Sequence, residues 1–244
     1  MIYYAIIFHM NETDEIKLMF DKIAHRYDFL NHFLSFGQDI IWRKEMADQV
    51  VDNNTHLVLD LASGTGDSAI ALLKRGVNVI GLDISFEMLK TGANKIKKKY
   101  SRQSQLFNKK ISFFPVTGSG YQIPMRDSFV DAVTSAFGIR NMHDTEDALR
   151  EIYRVIRPEG RVVILEFSLP ESSIRKPYLF YLKKIIPAMA SMLSVKSAYE
   201  YLGKSIEEFY KPSEFVRLLD RCGFKNIKAF SLSFGCVYLY VGVK

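Results

Sequence analysis

The sequence predicts an α/β fold: a seven-stranded, mostly parallel sheet with helices on both faces, its last strand antiparallel. A helical prefix precedes the sheet and a helical insertion interrupts it before the final helix. Three observations predict this. From Leu57 onward, short β-branched runs alternate with longer amphipathic ones, the pattern of parallel βαβ units. A glycine turn, Ser63-Gly64-Thr65-Gly66, follows the first apolar run and opens a helix, as in open sheets that bind ligands at their strand ends. The last two apolar runs lie a few residues apart around Ser233 and Gly235. That spacing permits a hairpin, and hence one antiparallel strand at the end of the sheet.

In chain order, strands are expected at 57–61, 77–82, 111–115, 130–136, 162–167, 227–232 and 237–243. Helices are expected at 68–74, 86–99, 145–156 and 213–222. The helix at 145–156 is marked by Leu149, Ile152, Tyr153 and Ile156 at helical spacing, with Pro158 and Gly160 to stop it. Two aromatic-rich stretches stand outside this alternation, residues 11–50 and 171–211. Ligands in open α/β sheets sit outside the carboxyl ends of the strands, so both additions are candidates for a lid there.

The composition, 48% hydrophobic and 25% charged over 244 residues, excludes disordered and collagen-like chains. Two cysteines, Cys222 and Cys236, cannot build a disulfide framework or a structural zinc site, so the chain is expected to be cytoplasmic. The five histidines have no ligand spacing, and no metal is expected. A net charge of +6 favours an anionic partner. The excess is concentrated between Glu87 and Asp127, which enclose no acid but include Lys90, Lys95, Lys97, Lys98, Lys99, Arg102, Lys109 and Lys110. A solvated face or a phosphate or headgroup contact would each use that run. At the amino end, apolar residues 2–8 lack a basic flank and are too short to span a bilayer. Met10 then opens the polar stretch Asn11-Glu12-Thr13-Asp14-Glu15. The expectation is that Met10 is the natural start, the alternative being a short apolar arm packed on the domain.

The most informative segment is Asp60-Leu61-Ala62-Ser63-Gly64-Thr65-Gly66-Asp67, with Asp83 closing the second strand. Glycines let a ligand approach the backbone, and an acid about twenty residues on binds ribose hydroxyls. A nicotinamide dinucleotide fits poorly. The third glycine of its fingerprint is missing, and Asp60 and Asp67 are poor neighbours for a pyrophosphate. A cationic nucleoside, S-adenosylmethionine, suits these acids, with Asp83 on its ribose.

Here the sequence resembles the class I methyltransferases, and within them the ubiquinone and menaquinone biosynthesis C-methyltransferases (UbiE/MenG type). The resemblance covers nearly the whole chain after about Ile16. It rests on 20–31 (Phe-Asp-Lys-Ile-Ala-His-Arg-Tyr-Asp-Phe-Leu-Asn), on Leu34-Ser35-Phe36-Gly37 and Trp42-Arg43, and on Phe137-Gly138-Ile139-Arg140-Asn141 and Glu166-Phe167-Ser168. It implies a Rossmann-like sheet, with residues 1–50 as N-terminal arm and helical lid and 51–244 as the methyltransferase domain, 171–211 being its substrate insertion, in one structural domain overall. It also implies S-adenosylmethionine contacts at Thr65 and Asp83, at the pair Ser119-Gly120 and at the end of the fourth strand, beside those that the glycine loop itself suggests at Asp60, Gly64 and Gly66. At the pair the family's acid or Asn followed by Ala is replaced, and Ala136 stands where a serine is usual; both departures predict weaker cofactor contacts. The implied reaction is C-methylation of a polyprenyl quinol, demethylmenaquinol first and the 2-polyprenyl-6-methoxy-1,4-benzoquinol of ubiquinone biosynthesis as the alternative.

Methylating a ring carbon requires a phenolate, and a phenol of pKa about 10 is only ~0.1% ionised at neutral pH. Arg140, after the fourth strand, is expected to stabilise the phenolate, and Asn141 to orient the quinol or a water. A guanidinium cannot be the base, which leaves Asp28, His143 or water. The alternative for Arg140 is a structural salt bridge; for His143, a surface or helix-capping role. Arg175-Lys176 and Lys183-Lys184 flank the apolar 178–182, a pattern suited to a helix in a headgroup layer; core packing or a homodimer contact would use the same residues. No nucleic acid is expected: the strand-four motif of amino-methylating enzymes is replaced by Ala136-Phe137-Gly138-Ile139. Neither cysteine lies near the site for thiol-dependent base methylation, and the acidic ligands of a metal-dependent catechol enzyme are missing. A cofactor-binding protein that has lost catalysis is the reading from another class; Arg140-Asn141 and the full prefix argue against it.

Overall fold

The computed structural model describes residues 12–24, 27–101, 111–171, 173–191 and 196–244. The apolar arm at 1–9, Met10, and Arg102, Lys109 and Lys110 of the basic run lie outside the described residues. The prefix forms α1 (Glu12–Ile23), α2 (Tyr27–Leu34) and α3 (Gln38–Val50). The core follows as β1 (Leu57–Leu61), α4 (Asp67–Leu73), β2 (Asn78–Asp83), α5 (Phe86–Ser101), β3 (Phe113–Thr117), β4 (Val130–Ala136), α6 (Thr145–Val155) and β5 (Ile156–Phe167). The insertion is helical: α7 (Arg175–Phe180), a π-helical turn at Tyr181–Ile185, α8 (Ile186–Ser191) and α9 (Lys196–Glu208). The chain ends in α10 (Pro212–Arg221), β6 (Lys225–Leu232) and β7 (Val237–Val243).

The strands form one sheet in the order β3-β2-β1-β4-β5-β7-β6. β1, β2, β3, β4 and β5 pair in parallel, and β7 is antiparallel to both β5 and β6. The antiparallel strand therefore lies inside the sheet rather than at its end. Burial explains this correction. β7 (Val-Tyr-Leu-Tyr-Val-Gly-Val) is almost entirely covered, whereas β6 carries Lys225, Asn226, Lys228 and Ser231, is mostly exposed, and suits an edge.

Period-2 alternation splits the strand residues between two cores. Leu59, Leu61 and Ile164 face α6 and α10 through Leu149, Ile152, Phe215 and Leu218. Val58, Val79 and Val163 face α3 and α4 through Trp42, Met46, Ile70 and Leu72. The start of α6 is fixed by Asp144, whose carboxylate accepts from the Asp147 N–H at 2.9 Å. β5 begins six residues before the expected 162. Ile156 pairs with Val130 and Val162 with Val133, and the register shifts between them. Pro158 sits in that interruption, where its missing N–H costs no ladder bond.

Candidate active site

β1 has β2 on one side and β4 on the other, so the sheet reverses its winding at the β1–β4 crevice, where ligands bind in such folds. Both strands leave the sheet abruptly there. Ala62 after β1 and Phe137 after β4 have φ of 54° and 61°, a left-handed conformation uncommon outside glycine. Gly138 must then be a glycine: a Cβ there would lie 2.4 Å from that of Ala62.

Two cavities open at this crevice. The first is lined by Gly64 and Asp83, by Gly118, Ser119 and Gly120, by Ala136 and Asn141, and by apolar Leu61, Leu82, Ile84, Met88 and Met142. Asp83 organises it: one carboxylate oxygen accepts from the Gly64 N–H and the other from the Ser85 N–H, each at 2.8 Å. Each oxygen keeps a second lone pair. Burial pushes this carboxyl above the ordinary aspartate range, the two N–H groups opposing the shift.

The second cavity, about 200 Å³, is largely apolar. Its walls come from every addition to the core: Phe20 of α1, Tyr27 and Leu34 of α2, Trp42 and Arg43 of α3, Tyr178, Tyr181, Leu182 and Ile186 of the insertion, and Tyr201, Leu202 and Ile206 of α9. The insertion is pinned by the Tyr181 hydroxyl, which donates to the Leu34 carbonyl at 2.6 Å. Phe20, Tyr27 and Phe137 line both cavities, so a ligand in one touches the same rings as a ligand in the other. Arg140 reaches the apolar cavity and its neighbour Asn141 the polar one. Arg140 is ion-paired with Glu166 at 2.7 Å, the two side chains being 6% and 0% exposed. Its Nη1 also donates to the Phe137 carbonyl at 2.6 Å and its Nε to Ser205 Oγ at 3.3 Å. Among the described residues none accepts a hydrogen bond from Nη2.

The model of the ubiE/COQ5 methyltransferase family matches residues 8–244. The chain belongs to that family. It is 39% identical over 243 residues to the ubiquinone/menaquinone biosynthesis C-methyltransferase UbiE of Geotalea uraniireducens, covering 98% of this chain and 100% of that protein. It is 37% identical to the demethylmenaquinone methyltransferase of Streptomyces avermitilis, over 96% of each. Among solved structures, an S-adenosylmethionine-dependent methyltransferase of Thermotoga maritima superposes with a TM-score of 0.66 at 17% identity, over 93% of this chain and 99% of that one. The phosphoethanolamine N-methyltransferase 2 of Haemonchus contortus, solved with S-adenosylmethionine, superposes with a TM-score of 0.60 at 14% identity, over 92% of this chain and 60% of that one. At these identities the likeness concerns the fold. This ubiE/COQ5 methyltransferase thus has the class I sheet, and its methyl donor is S-adenosylmethionine. The polar cavity fits that donor: Asp83, the one acid in its lining, offers paired acceptors to a ribose, and the apolar walls suit a flat base.

Of the expected cofactor residues, Gly64, Asp83, Ser119 and Gly120 line the polar cavity and Asp60, Thr65 and Gly66 do not. Asp60 lies beneath the loop, 1% exposed. It accepts from Ser63 Oγ and Thr134 Oγ1, each at 2.9 Å, and burial pushes it up to about 6. Gly66 caps α4 with φ 79°. The Thr65 hydroxyl donates to Asp28. Asp28 lines neither cavity: its other oxygen accepts from Lys95 at 2.6 Å, and Lys95 also holds Asp67 at 2.7 Å. That network ties the prefix to the glycine loop and absorbs one lysine of the basic run. His143 is exposed, bonds the Tyr121 hydroxyl at 2.9 Å, and lines neither cavity. In the apolar middle of the insertion Leu182 is buried and Tyr178 and Tyr181 line the apolar cavity, whereas Phe180 is 60% exposed. Sequence reasoning missed Glu166 as a partner and Arg43, Tyr178 and Tyr201 as cavity residues, and Cys236, expected away from the site, lines the apolar cavity. An ionisable residue ending a buried strand was the available signal for Glu166. His32, Asp39 and Asp67 also come together, which histidine spacing could not reveal; Lys95 already pairs with Asp67, and Ser35 donates to Asp39 at 2.9 Å.

Proposed function

We propose that the protein methylates a ring carbon of a polyprenyl quinol, demethylmenaquinol, with the ring in the apolar cavity and the prenyl chain running to its mouth. The observation that carries this reading is the meeting of the two cavities at Phe20, Tyr27 and Phe137, with Arg140 in the wall of the apolar one and its neighbour Asn141 in the wall of the other. The names of the Geotalea and Streptomyces relatives give the quinone chemistry.

Bound S-adenosylmethionine supplies an electrophilic methyl group. The chain's own residues do the rest. Arg140 donates through Nη2 to the phenolic oxygen beside the reacting carbon and favours its ionised form. Lowering a phenol from about 10 to neutrality corresponds to about 4 kcal/mol, within reach of a charge-assisted bond in a dry pocket. Glu166 fixes the guanidinium and offsets part of its charge, so the effect comes from an aimed donor rather than a free cation. Asn141 accepts from the Tyr201 hydroxyl at 3.3 Å and holds the insertion against the cofactor side. Of the three proton acceptors considered, Asp28 and His143 are committed elsewhere, and water takes the proton.

Methyl transfer from labelled S-adenosylmethionine, with reduced naphthoquinol and benzoquinol presented in detergent, tests the reading. Label is expected on the naphthoquinol. No transfer to either ring, with cofactor binding verified by calorimetry, would sink it.

The mouth of the cavity is also where apolar surface is exposed. Phe36, 81% exposed, and Phe234, 86% exposed, stand on the α2–α3 and β6–β7 turns, and Phe36, Ser233 and Cys236 line the cavity. Phe29, Phe33, Ile40 and Ile41 extend the patch along α2 and α3. Contiguous exposed apolar residues of this kind mark interaction surfaces. A bilayer surface here would pass a prenyl chain into the cavity without crossing water. No helix among the described residues is long and apolar enough to cross a membrane. The double variant Phe33→Asp/Phe234→Asp is expected to lose co-flotation with lipid vesicles while still methylating a short-chain quinol in solution. Undiminished flotation would remove this surface from the reading.

A further inference from the structure

Four tyrosines line the apolar cavity: Tyr27, Tyr178, Tyr181 and Tyr201. Three of their hydroxyls are occupied within the fold. Tyr181 donates to the Leu34 carbonyl at 2.6 Å and Tyr201 to Asn141 Oδ1 at 3.3 Å, and Asn31 offers its side chain to Tyr27. The Tyr178 hydroxyl has no hydrogen-bond partner among the described residues. Nor is it sealed in. Among the described residues, the unpartnered side-chain polar atoms without accessible surface are Arg43 Nε, Tyr100 Oη and Ser135 Oγ. The Tyr178 oxygen therefore keeps a surface that a ligand can touch.

The groups that act on this hydroxyl show where it faces. α7 carries Tyr178, and its side chain packs on the cluster of Leu34, Leu182 and Ile206. Burial pushes the hydroxyl far above the usual tyrosine range, and after burial come the Cys236 thiol, the Arg140 guanidinium, Tyr181 and Glu166. Cys236, Arg140 and Tyr181 line the same cavity, and Glu166 is the ion-pair partner of Arg140. The hydroxyl thus faces the part of the cavity that holds Arg140, and at neutral pH it keeps its proton. Arg140 enters that cavity from the turn after β4 and Tyr178 from the insertion. A quinol leaving water for a largely apolar cavity brings two hydroxyl oxygens, and each needs a partner there. Arg140 serves one of them.

Resting on the quinol reading, we propose that Tyr178 is a substrate-binding residue supplied by the insertion: its hydroxyl donates a hydrogen bond to a ring oxygen of the quinol, so that the insertion holds the ring as well as walling it in. Tyr178→Phe removes that hydroxyl and nothing else. The probe is the oxidised, already methylated ring, a 2-methyl-3-prenyl-1,4-naphthoquinone with a short chain and carbon-13 at both carbonyls, which binds without turnover. Isotope-edited infrared spectra report the hydrogen bonds that its two carbonyls accept. In Tyr178→Phe one carbonyl band is expected to move up towards its position in an apolar solvent. The hydroxyl has no protein partner to lose, so the melting temperature without quinone is expected to stay unchanged, while the rise on adding quinone becomes smaller. With the reduced, unmethylated naphthoquinol, kcat/KM is expected to fall about tenfold or more, the range of a lost hydrogen bond to an ionised oxygen. Carbonyl bands unmoved by Tyr178→Phe would overturn the assignment. So would a lower melting temperature without quinone and an undiminished rise with it, which would make the hydroxyl a structural group. Absence of quinone binding by the unaltered protein, seen as no shifted carbonyl band and no rise in melting temperature, would overturn the quinol reading, and this assignment with it.

Discussion

Arg140→Leu is expected to lower methyl transfer about a thousandfold, the factor by which a phenol three pKa units above neutrality is short of phenolate, with S-adenosylmethionine binding retained. Rate alone would not separate chemistry from folding, because Arg140 is half of a buried ion pair with Glu166. Removing one partner of such a pair costs about 3–5 kcal/mol by leaving the other charge uncompensated. The sign of the pH dependence is diagnostic. Burial already pushes the Glu166 carboxyl above its ordinary range, and the Arg140 charge is the first influence opposing it. In Arg140→Leu that opposition is gone and the folded-state pKa rises further above the unfolded one. The folded variant then binds the proton more tightly than the unfolded chain, so its melting temperature is highest at low pH and falls as pH rises through the folded pKa. Arg140→Leu/Glu166→Leu removes both charges and is expected to recover most of the lost stability without recovering turnover. Recovered turnover in the double variant would sink the phenolate role and leave Arg140 a structural partner.

Asp83→Ala is expected to weaken S-adenosylmethionine binding by about 100-fold or more, since charged hydrogen bonds are worth roughly 1.5–3 kcal/mol each and two ribose hydroxyls are at stake. Asp83 is held by two backbone N–H groups and makes no ion pair among the described residues, so no paired cation is stranded by its loss. Part of the effect runs through the loop, because Gly64 N–H loses its acceptor. Asp83→Asn, which keeps an acceptor oxygen, is expected to fall between the two. Only the carboxylate accepts from both hydroxyls, and burial raises its pKa. Calorimetric affinity of the unaltered protein should therefore weaken on acidification at a higher pH than an ordinary aspartate would give, and that of Asp83→Asn should not follow the same titration. Affinity of Asp83→Ala within a few-fold of the unaltered protein would remove Asp83 from the cofactor site.

Much of this architecture was legible in the residue order. The β-branched runs located every strand, the glycine turn located the crevice, and Asp83, expected at the end of the second strand, lines the polar cavity there. The errors have physical causes. β5 starts ahead of the apolar run at 162–167 because pairing of Ile156 with Val130 carries the strand around Pro158 and Gly160, residues whose local signal is only the end of the preceding helix. The antiparallel strand was set at the edge because hairpin spacing fixes which strands are neighbours but not which of them is buried. Asp60 and Thr65 carry the signature of the loop, yet Ser63, Thr134 and Asp28 occupy their polar atoms, and no local pattern announces those partners.

The sequence by itself determined the order of elements, the switch-point crevice, the acid that closes it and the resemblance that named the chemistry. Periodicity, turn residues and motifs are local, and the chain carries them in register. Only the tertiary structure decided what the ionisable groups do. Arg140 is paired with Glu166 and reaches Ser205 in the insertion, Asp28 is spent on Lys95 and Thr65, and Arg43 is bonded to Ser68 in the wall of a cavity that the prefix and the insertion close together. A charged side chain takes its role from the burial and the charges around it, and those come from segments that meet only when the chain is folded.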